Sequence, residues 1–192
     1  MTDPLEQLTP QTHDGPSRSF SDRLRVRVQE IEAPTGEGDP PQWHLAQLNI
    51  GYFKKPLDHP DMQDFVNGLE RINGIAEASP GFIWRLTDAD GASSSFVEVP
   101  GATDPMTASN LSVWTDLEAL RGFMYKTDHV SYLRRKAEWF DHKPEALTVL
   151  WWIPAGTTPT LEDAVRRLEV LQEQGPTEQG WTLRKPLASP SR

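Results

Sequence analysis

The chain has 192 residues, enough for one domain with its own hydrophobic core. Its net charge of -9 argues against a nucleic-acid partner, because binding to phosphates requires clustered Lys and Arg. The absence of cysteine excludes disulfides, thiolate catalysis and cysteine-ligated metals.

The first ten residues, MTDPLEQLTP, contain neither a basic start nor an apolar run, so they do not predict a secretory signal. No segment approaches the roughly 20 apolar residues that are needed to span a bilayer. We therefore expect a soluble, cytoplasmic protein with no membrane partner.

Residues 1–42 differ in composition from the rest of the chain. They contain six of the 17 prolines, no tryptophan and one aromatic residue, Phe20. Such a segment buries too little apolar surface to offset chain entropy, so it is predicted to be a disordered or loosely attached arm. Within it, RLRVRVQEI alternates apolar and basic residues as a half-buried strand does, and this segment could pair with a sheet edge.

The predicted folded domain covers residues 43–186. Its first half reads as a strand over 43–53, a helix over 58–78 and a strand over 82–86. In the second of these strands the following side chains are expected on one face: Phe82, Trp84 and Leu86. Residues 88–109 are polar and rich in Gly and Ser, which indicates a long loop with a possible short strand at FVEV.

The second half begins with a predicted strand, NLSVW. TDLE follows it as a capping box, with Thr115 as N-cap and Glu118 at the third helical position. After that helix, Thr127 or Asp128 can cap another helix, which runs to about Asp141.

The next strand, ALTVLWWIPAG, is almost continuously apolar, as expected when both faces of a strand are covered. TTPTLEDAVRRLEVLQEQGP then predicts a clear amphipathic helix that Gly175 and Pro176 end. GWTLRKP is predicted as a last short strand, and residues 187–192 as a tail.

Without its last helix and strand, this order of elements is the split βαβ arrangement of a ferredoxin-like α+β fold. An antiparallel sheet with helices on one face leaves its other face in need of a cover. Trp151 and Trp152 are adjacent on a strand and point to opposite faces, so one of them should lie on the uncovered face. Association into a homodimer is the usual solution, and it is the partner that we predict.

The helix TDHVSYLRRKAEWFDH, residues 127–142, is the richest in candidate functional groups. One stripe should pack against the sheet, and its members are Val130, Leu133, Ala137 and Phe140. A mixed stripe beside it could border a pocket, and its members are His129, Tyr132, Lys136 and Trp139. His129 could transfer protons, or it could simply bond a backbone carbonyl at the start of the helix.

Asn49 lies on the first predicted strand. A buried amide at this position could hold a substrate oxygen, whereas a solvent-facing one would need no functional explanation. The remaining histidines show no metal-ligand spacing, so no metal site is predicted. The chain has no phosphate-binding glycine loop, nucleophile elbow or nucleotide fingerprint.

Two long segments carry a family resemblance, NLSVWTDLEALRGFMYKTDHVSYLRRKAEWF and LTVLWWIPAGTTPTLEDAVRRLEVLQEQGPTEQGWTLRKP. Together with the preceding strands, over about 43–186, the chain resembles DUF3291, an uncharacterised bacterial family. That family belongs with the antibiotic-biosynthesis-monooxygenase-like proteins, the dimeric α/β barrels. The resemblance implies that two ferredoxin-like subunits join their sheets into a barrel. It also implies a small hydrophobic ligand between sheet and helices, as in cofactor-free monooxygenases of aromatic polyketides, haem-degrading monooxygenases and haem-dependent dehydratases.

Residue by residue, the resemblance implies little. Asn49 lies near the catalytic first-strand asparagine of the haem-degrading group, and the tryptophan of that group falls at Phe123. Its haem-ligating histidine falls near Leu133, which cannot ligate iron, while His129 lies one turn earlier. No cofactor is therefore predicted, and haem with a non-standard ligand is an alternative.

The leading hypothesis is an enzyme that acts on an apolar or aromatic, polyketide-like compound by oxygenation or by acid–base cyclisation or dehydration. In this predicted enzyme, His129 is the acid or base, and Asn49 and Tyr132 are hydrogen-bond partners of the substrate. The pocket walls are predicted to be Trp84, Phe123, Trp139 and Trp151. The alternative is a non-catalytic dimeric binding or scaffold domain. A deep pocket where His129 and Asn49 converge would favour the enzyme, and an interior filled by tryptophans would favour the scaffold.

Overall fold

A four-stranded antiparallel sheet forms the centre of the fold. In the computed structural model, which describes residues 43–145 and 147–190, the strands are β1 (Trp43–Tyr52), β2 (Phe82–Arg85), β3 (Thr107–Trp114) and β4 (Thr148–Pro154). Their order in the sheet is β2-β3-β1-β4. This is the ferredoxin-like order, so the predicted α+β fold class is confirmed. The predicted arm, 1–42, lies outside the described residues.

Four α-helices surround this sheet. They are α1 (Gln63–Glu77), α2 (Leu117–Lys126), α3 (His129–Trp139) and α4 (Leu161–Gln174). A short 3-10 turn, Pro60–Met62, precedes α1, and another at Ser94–Phe96 lies in the long loop after β2. This turn and extended residues occupy the place of the strand considered at FVEV, which does not form.

Helices α1, α2 and α3 cover one face of the sheet, which we call the helix face. Leu45, Trp114 and Leu150 of the sheet pack there with Leu120 of α2 and with Trp181. A second apolar cluster on this face joins the ends of α1 and α3 to the end of β1, and its buried members are Phe53, Met62, Ala108 and Trp139. The helices of the ferredoxin-like core therefore lie on one face, as expected.

Helix α4 covers the opposite face, which we call the α4 face. Its apolar stripe contacts the other side of β1, β3 and β4, and the stripe consists of Leu161, Ala164, Leu168 and Leu171. Leu86 and Val99, from the start and the interior of the connection between β2 and β3, belong to the same cluster. Trp151 points to this face and is fully buried there. The argument that this face needs a second subunit as its cover is therefore wrong, because the chain covers much of it with its own last helix.

Strand β2 carries an irregularity that turns its side chains. Phe82 pairs with Trp114, but Trp84 pairs with Val113, so two steps on β2 match one step on β3. Such a bulge reverses the alternation of side chains. Phe82 accordingly packs on the helix face, while Trp84 and Leu86 pack on the α4 face, so the prediction that all three share a face is wrong.

The helix caps differ in part from the sequence prediction. Asp116, rather than Thr115, is the N-cap of α2, because its carboxylate accepts a hydrogen bond from the backbone N–H of Ala119 over 2.8 Å. Before α3, the hydroxyl of Thr127 accepts from the backbone N–H of His129 over 3.2 Å. Helix α4 ends at Gly175 with φ of 76°, as its sequence predicts.

The predicted last strand is reduced to a single bridge with the sheet. Leu150 and Trp181 exchange two backbone hydrogen bonds of 2.9 Å each at the outer edge of β4. The predicted strand GWTLRKP does not continue beyond this pair, because the following residues form a turn. The bridge nevertheless brings the fully buried Trp181 into the core of the helix face.

Candidate functional site

The helix face of β1 and β3 presents four successive cross-strand pairs. They are Leu45–Trp114, Gln47–Ser112, Asn49–Asn110 and Gly51–Ala108. Alternate residues of a strand point to the same face, so all four pairs lie beneath the helices. Two apolar pairs therefore enclose two polar pairs at the centre of the sheet.

The two ends of helix α3 lie near the two outer, apolar pairs. At its start, the ring of His129 lies 4.5 Å from that of Phe123, which in turn stacks on Trp114 at 5.2 Å. Just beyond its end, the ring of Phe140 lies so close to Gly51 that a Cβ there would collide with it. The two polar pairs lie on the sheet between these two end contacts.

One of the two polar pairs is open to solvent. Asn49 and Asn110 are both exposed, although they lie opposite each other on the two central strands. Thr148, next to them on β4, is half-buried, and its hydroxyl donates to Asn49 Oδ1 over 2.8 Å. The helices therefore leave an opening over the middle of the sheet, which we call the amide gap and define by Asn49, Asn110 and Thr148.

A buried hydrogen-bonded chain borders the amide gap. Trp114 Nε1 donates to Ser112 Oγ over 3.0 Å, and Ser112 Oγ donates to Gln47 Oε1 over 3.0 Å. All three side chains are buried. Because the Trp114 indole N–H, the Ser112 hydroxyl and the Gln47 carbonyl oxygen each have a partner, the network holds one end of the gap rigid.

His129 is half-buried at the same end of the helix face. Burial lowers the pKa of its imidazole, and a contact with the backbone carbonyl of Met124 opposes that shift. This contact, 3.4 Å from Nδ1 to the Met124 oxygen, favours the tautomer with the proton on Nδ1. At neutral pH the ring is then uncharged, and Nε2 has a lone pair that can accept a proton.

Tyr132 and Trp139 form the contact between α3 and α1. Their rings stack at 5.7 Å, and the Tyr132 ring lies directly against Gly68 of α1. Trp139 is buried, whereas Val130 and Leu133 are only half-buried and Ala137 is exposed. The predicted division of α3 into stripes is therefore wrong in part: Phe140 packs against Gly51 of the sheet as predicted, but the stripe assigned to a pocket edge makes the tighter helix–helix contact.

Of the seven predicted site residues, five lie on the helix face. His129 contacts Phe123, Tyr132 contacts Trp139, and Asn49 lies on the sheet between these two pairs. Trp84 and Trp151 lie on the α4 face, so the sheet separates them from the other five. The structure does not bring the seven residues together around one pocket.

Two further concavities lie elsewhere on the molecule. One, of about 380 Å³, lies between the start of α2, Trp152 and the C-terminal segment 186–189. The other, of about 230 Å³, lies on the α4 face between α4 and the loop 99–104. Neither includes His129, Asn49 or Tyr132, so the predicted catalytic residues do not line these two concavities.

The described ranges, 43–145 and 147–190, contain neither a metal-binding cluster nor a membrane-spanning helix. No group of three His, Asp or Glu side chains there is placed to hold a metal ion. No helix in these ranges is long and apolar enough to cross a membrane.

Comparison with known proteins identifies the family. The sequence profile of a domain of unknown function, DUF3291, matches residues 44–192. The chain belongs to this family. No curated protein matches the DUF3291 chain.

Solved structures resemble the DUF3291 chain only distantly. SnoaB from Streptomyces nogalater, a cofactor-independent oxygenase, is 14% identical, with a TM-score of 0.37 over 60% of this chain and 95% of SnoaB. NE2512 from Nitrosomonas europaea, a protein of unknown function, is 11% identical, with a TM-score of 0.38 over 63% of this chain and 97% of NE2512. Similarity of this extent does not transfer an activity to the DUF3291 chain.

Four residues of the polar centre were not singled out from the sequence. They are Gln47, Asn110, Ser112 and Thr148, and each is a polar residue at an inward position of a strand. Asn49 and Gln47 share a face by simple alternation, which was visible in the sequence. The pairing of β1 with β3 and β4, which brings the other three beside them, joins residues about 60–100 positions apart and leaves no local signal.

Proposed function

We propose that this protein binds a small apolar, aromatic compound in the amide gap and acts on it as an enzyme of the monooxygenase-like kind. The observation that carries the proposal is the exposed pair Asn49 and Asn110 on the helix face of the two central strands. A soluble domain normally buries apolar side chains at such positions, so an opening lined by amides there indicates a binding site.

The chemistry that the gap supports is proton removal followed by stabilisation of the resulting anion. The neutral imidazole of His129 can accept a proton from an acidic C–H or O–H group of the ligand. The amide of Asn49 can donate a hydrogen bond to the oxygen that gains negative charge. Reaction of such an anion with molecular oxygen, or its cyclisation or dehydration, would then follow.

The distance between these two groups restricts the shape of the ligand. Asn110 lies four residues before Trp114 on β3, or about 13 Å along the strand. His129 lies beyond Phe123 at the Trp114 end. A compound that touches both His129 and Asn49 is therefore elongated, with two or more fused rings rather than one.

Ligand-induced stabilisation tests the proposal. Thermal unfolding of the protein is followed with a panel of fused aromatic phenols and quinones, and we expect a ligand at about 100 times its Kd to stabilise the parent by about 2.7 kcal/mol. Asn49→Ala should abolish this effect and change the unliganded melting temperature little, because the side chain is exposed. The control is Asn67→Ala, an exposed asparagine on α1, which should respond as the parent does.

The proposal fails if no compound of the panel stabilises the parent. It also fails if Asn49→Ala and Asn67→Ala respond alike, because the ligand would then bind elsewhere. His129→Ala separates binding from reaction, since it should retain ligand-induced stabilisation and lose conversion of the ligand under air.

A non-catalytic binding or scaffold domain is the second candidate. Four tryptophans are fully buried, Trp114, Trp139, Trp151 and Trp181, and they fill space that a large enzyme pocket would leave open. This function predicts stabilisation of the parent by a ligand that is recovered unchanged after long incubation. Analysis of the ligand by mass spectrometry therefore distinguishes the two candidates.

Haem remains an alternative cofactor, and the residues of α3 bear on it. Leu133, the position that the family resemblance gives to the iron ligand, has no donor atom and is half-buried. His129 presents its ring to Phe123 and its Nδ1 to a backbone carbonyl, which leaves Nε2 as its one possible ligand atom. These side chains do not fit the iron-ligating arrangement of the haem-degrading group, and the proposed reaction does not use haem.

A further inference from the structure

The hydrogen-bonded chain beside the amide gap determines the orientation of Gln47. An indole N–H can only donate, so Ser112 Oγ must accept from Trp114 Nε1. Ser112 Oγ also donates its own hydrogen to Gln47 over 3.0 Å. The atom of Gln47 that receives it must be the carbonyl oxygen, and its NH2 group is turned away from Ser112.

Asn49 has the same orientation two residues further along β1. Thr148, on the neighbouring strand β4, donates its hydroxyl hydrogen to Asn49 Oδ1 over 2.8 Å. The carbonyl end of the Asn49 amide is thus occupied by a protein donor. Its NH2 group points away from Thr148, and the side chain is exposed.

We propose that Ser112 and Thr148 are positioning residues that turn the amides of Gln47 and Asn49 so that both offer N–H donors to one ligand oxygen. This inference rests on the proposed function, and it specifies the ligand group that the amide gap selects. That group is an acceptor, a carbonyl or an ionised hydroxyl, and not a donor such as an amine. Two residues spaced i and i+2 on one strand place their donors on the same face, as recognition of one oxygen requires.

A pair of ligands of equal size tests the inference. The probes are 4-nitrophenolate and 4-nitroaniline, compared at a pH where the phenol is ionised, and binding is measured by isothermal titration. The parent should prefer the phenolate. Thr148→Val preserves the shape of the side chain and removes the hydroxyl, so it frees the Asn49 amide to rotate. The preference should then fall by roughly tenfold, as expected for one hydrogen bond to a charged group.

Three further variants distinguish an effect of the Asn49 amide orientation from a general structural effect of substitution. Thr148→Ser restores a hydroxyl and should restore the preference. Asn49→Asp replaces the donor by an acceptor of the same shape and should reverse the preference towards 4-nitroaniline. Thr107→Val makes the same substitution on the α4 face, where Thr107 lines the 230 Å³ concavity, and should leave the preference unchanged.

The inference is overturned if the parent binds both probes equally, or if Thr148→Val keeps the full preference. In either case the proposed function stands, provided that fused aromatic ligands still stabilise the parent through Asn49. If neither probe nor any fused aromatic compound binds the parent, the proposed function itself is overturned, and the positioning role of Ser112 and Thr148 with it.

Discussion

His129 shows how the surroundings of one residue set its chemistry. Its imidazole lies between the ring of Phe123 and the backbone carbonyl of Met124. Desolvation is the main cause of its lowered pKa, and the contact with the carbonyl only opposes it. A histidine in such a place is suited to accept a proton at neutral pH.

The lowered pKa of His129 makes the free energy of unfolding depend on pH. The unfolded chain binds a proton at this histidine below about pH 6.5, whereas the folded protein resists protonation until its lower pKa is reached. Stability is therefore complete above pH 6.5, falls as the pH decreases, and stops falling below the folded-state pKa. We expect His129→Gln to reduce this loss, measured by urea unfolding at several values between about pH 7 and 5.

The matched control is His142→Gln, which replaces an exposed histidine three residues after the end of α3. The pH dependence of this variant should match that of the parent. Equal pH dependence in His129→Gln and the parent would show that His129 is solvated in the folded protein, and its role as a buried base would lose its support. His44, whose pKa is also lowered by burial, accounts for a remaining part of the slope.

At the scale of the helices, a glycine lets α1 and α3 approach each other. The ring of Tyr132 occupies the place where a Cβ of Gly68 would lie. Ion pairs join the same two helices at the surface, from Arg71 to Asp128 and from Arg135 to Asp64. Exposed pairs of this kind contribute little, so the close contact at Gly68 carries most of the specificity of the packing.

Gly68→Ala should destabilise the protein. The new methyl group would displace Tyr132, and such overpacking costs about 1–3 kcal/mol, which outweighs the gain of up to about 1 kcal/mol in helix propensity. Gly74→Ala, in the same helix, is the control, because a Cβ there meets no atom within 4 Å and the variant should be more stable than the parent. Urea unfolding of both variants measures the difference.

A combined Gly68→Ala and Tyr132→Ala variant tests whether the contact with Tyr132 causes the loss of stability. If the contact with Tyr132 explains the loss, Gly68→Ala should cost little once Tyr132 is already truncated, and the two changes should be far from additive. Additive effects would contradict the contact. Tyr132 would then be free for the role in substrate binding that the sequence suggested.

At the scale of the whole molecule, the position of α4 bears on the proposed homodimer. Helix α4 covers the α4 face over β1 and β4, so two sheets cannot meet there over their full width without a movement of α4. Exposed apolar side chains remain at the β2 edge and its flanking loop, Ile83 and Phe96. A stable dimer buries on the order of 1,200–2,000 Å² in total, more than these two side chains supply.

Analytical ultracentrifugation measures the assembly directly. From the family resemblance we expect a species of about twice the chain mass of 21.6 kDa at micromolar concentration. If α4 must move to form it, the variant Leu168→Asp, which disrupts the packing of α4, should change the dimer dissociation constant as well as stability. A species of 21.6 kDa at all concentrations would show that α4 replaces the partner subunit as the cover of the sheet.

The sequence by itself determined the order and type of the main elements. The alternation in WHLAQLNIGY, the apolar run of β4 and the stripe of α4 are strong local patterns, and each folds as its period predicts. The ferredoxin-like class follows from that order, since antiparallel pairing and short connections leave few arrangements of four strands and their helices. The family resemblance rests on the same local segments.

Only the tertiary structure decided which faces these elements share. One bulged residue in β2 separated Trp84 from Phe82, and the side of the sheet that α4 occupies separated Trp151 from His129. The inward stripe of α3 was decided by Gly68, which lies more than 60 residues away and admits Tyr132. The polar centre of Gln47, Asn49, Asn110, Ser112 and Thr148 forms by pairing of three strands distant in sequence. Such contacts depend on packing between elements, and periodicity within one element contains no information about them.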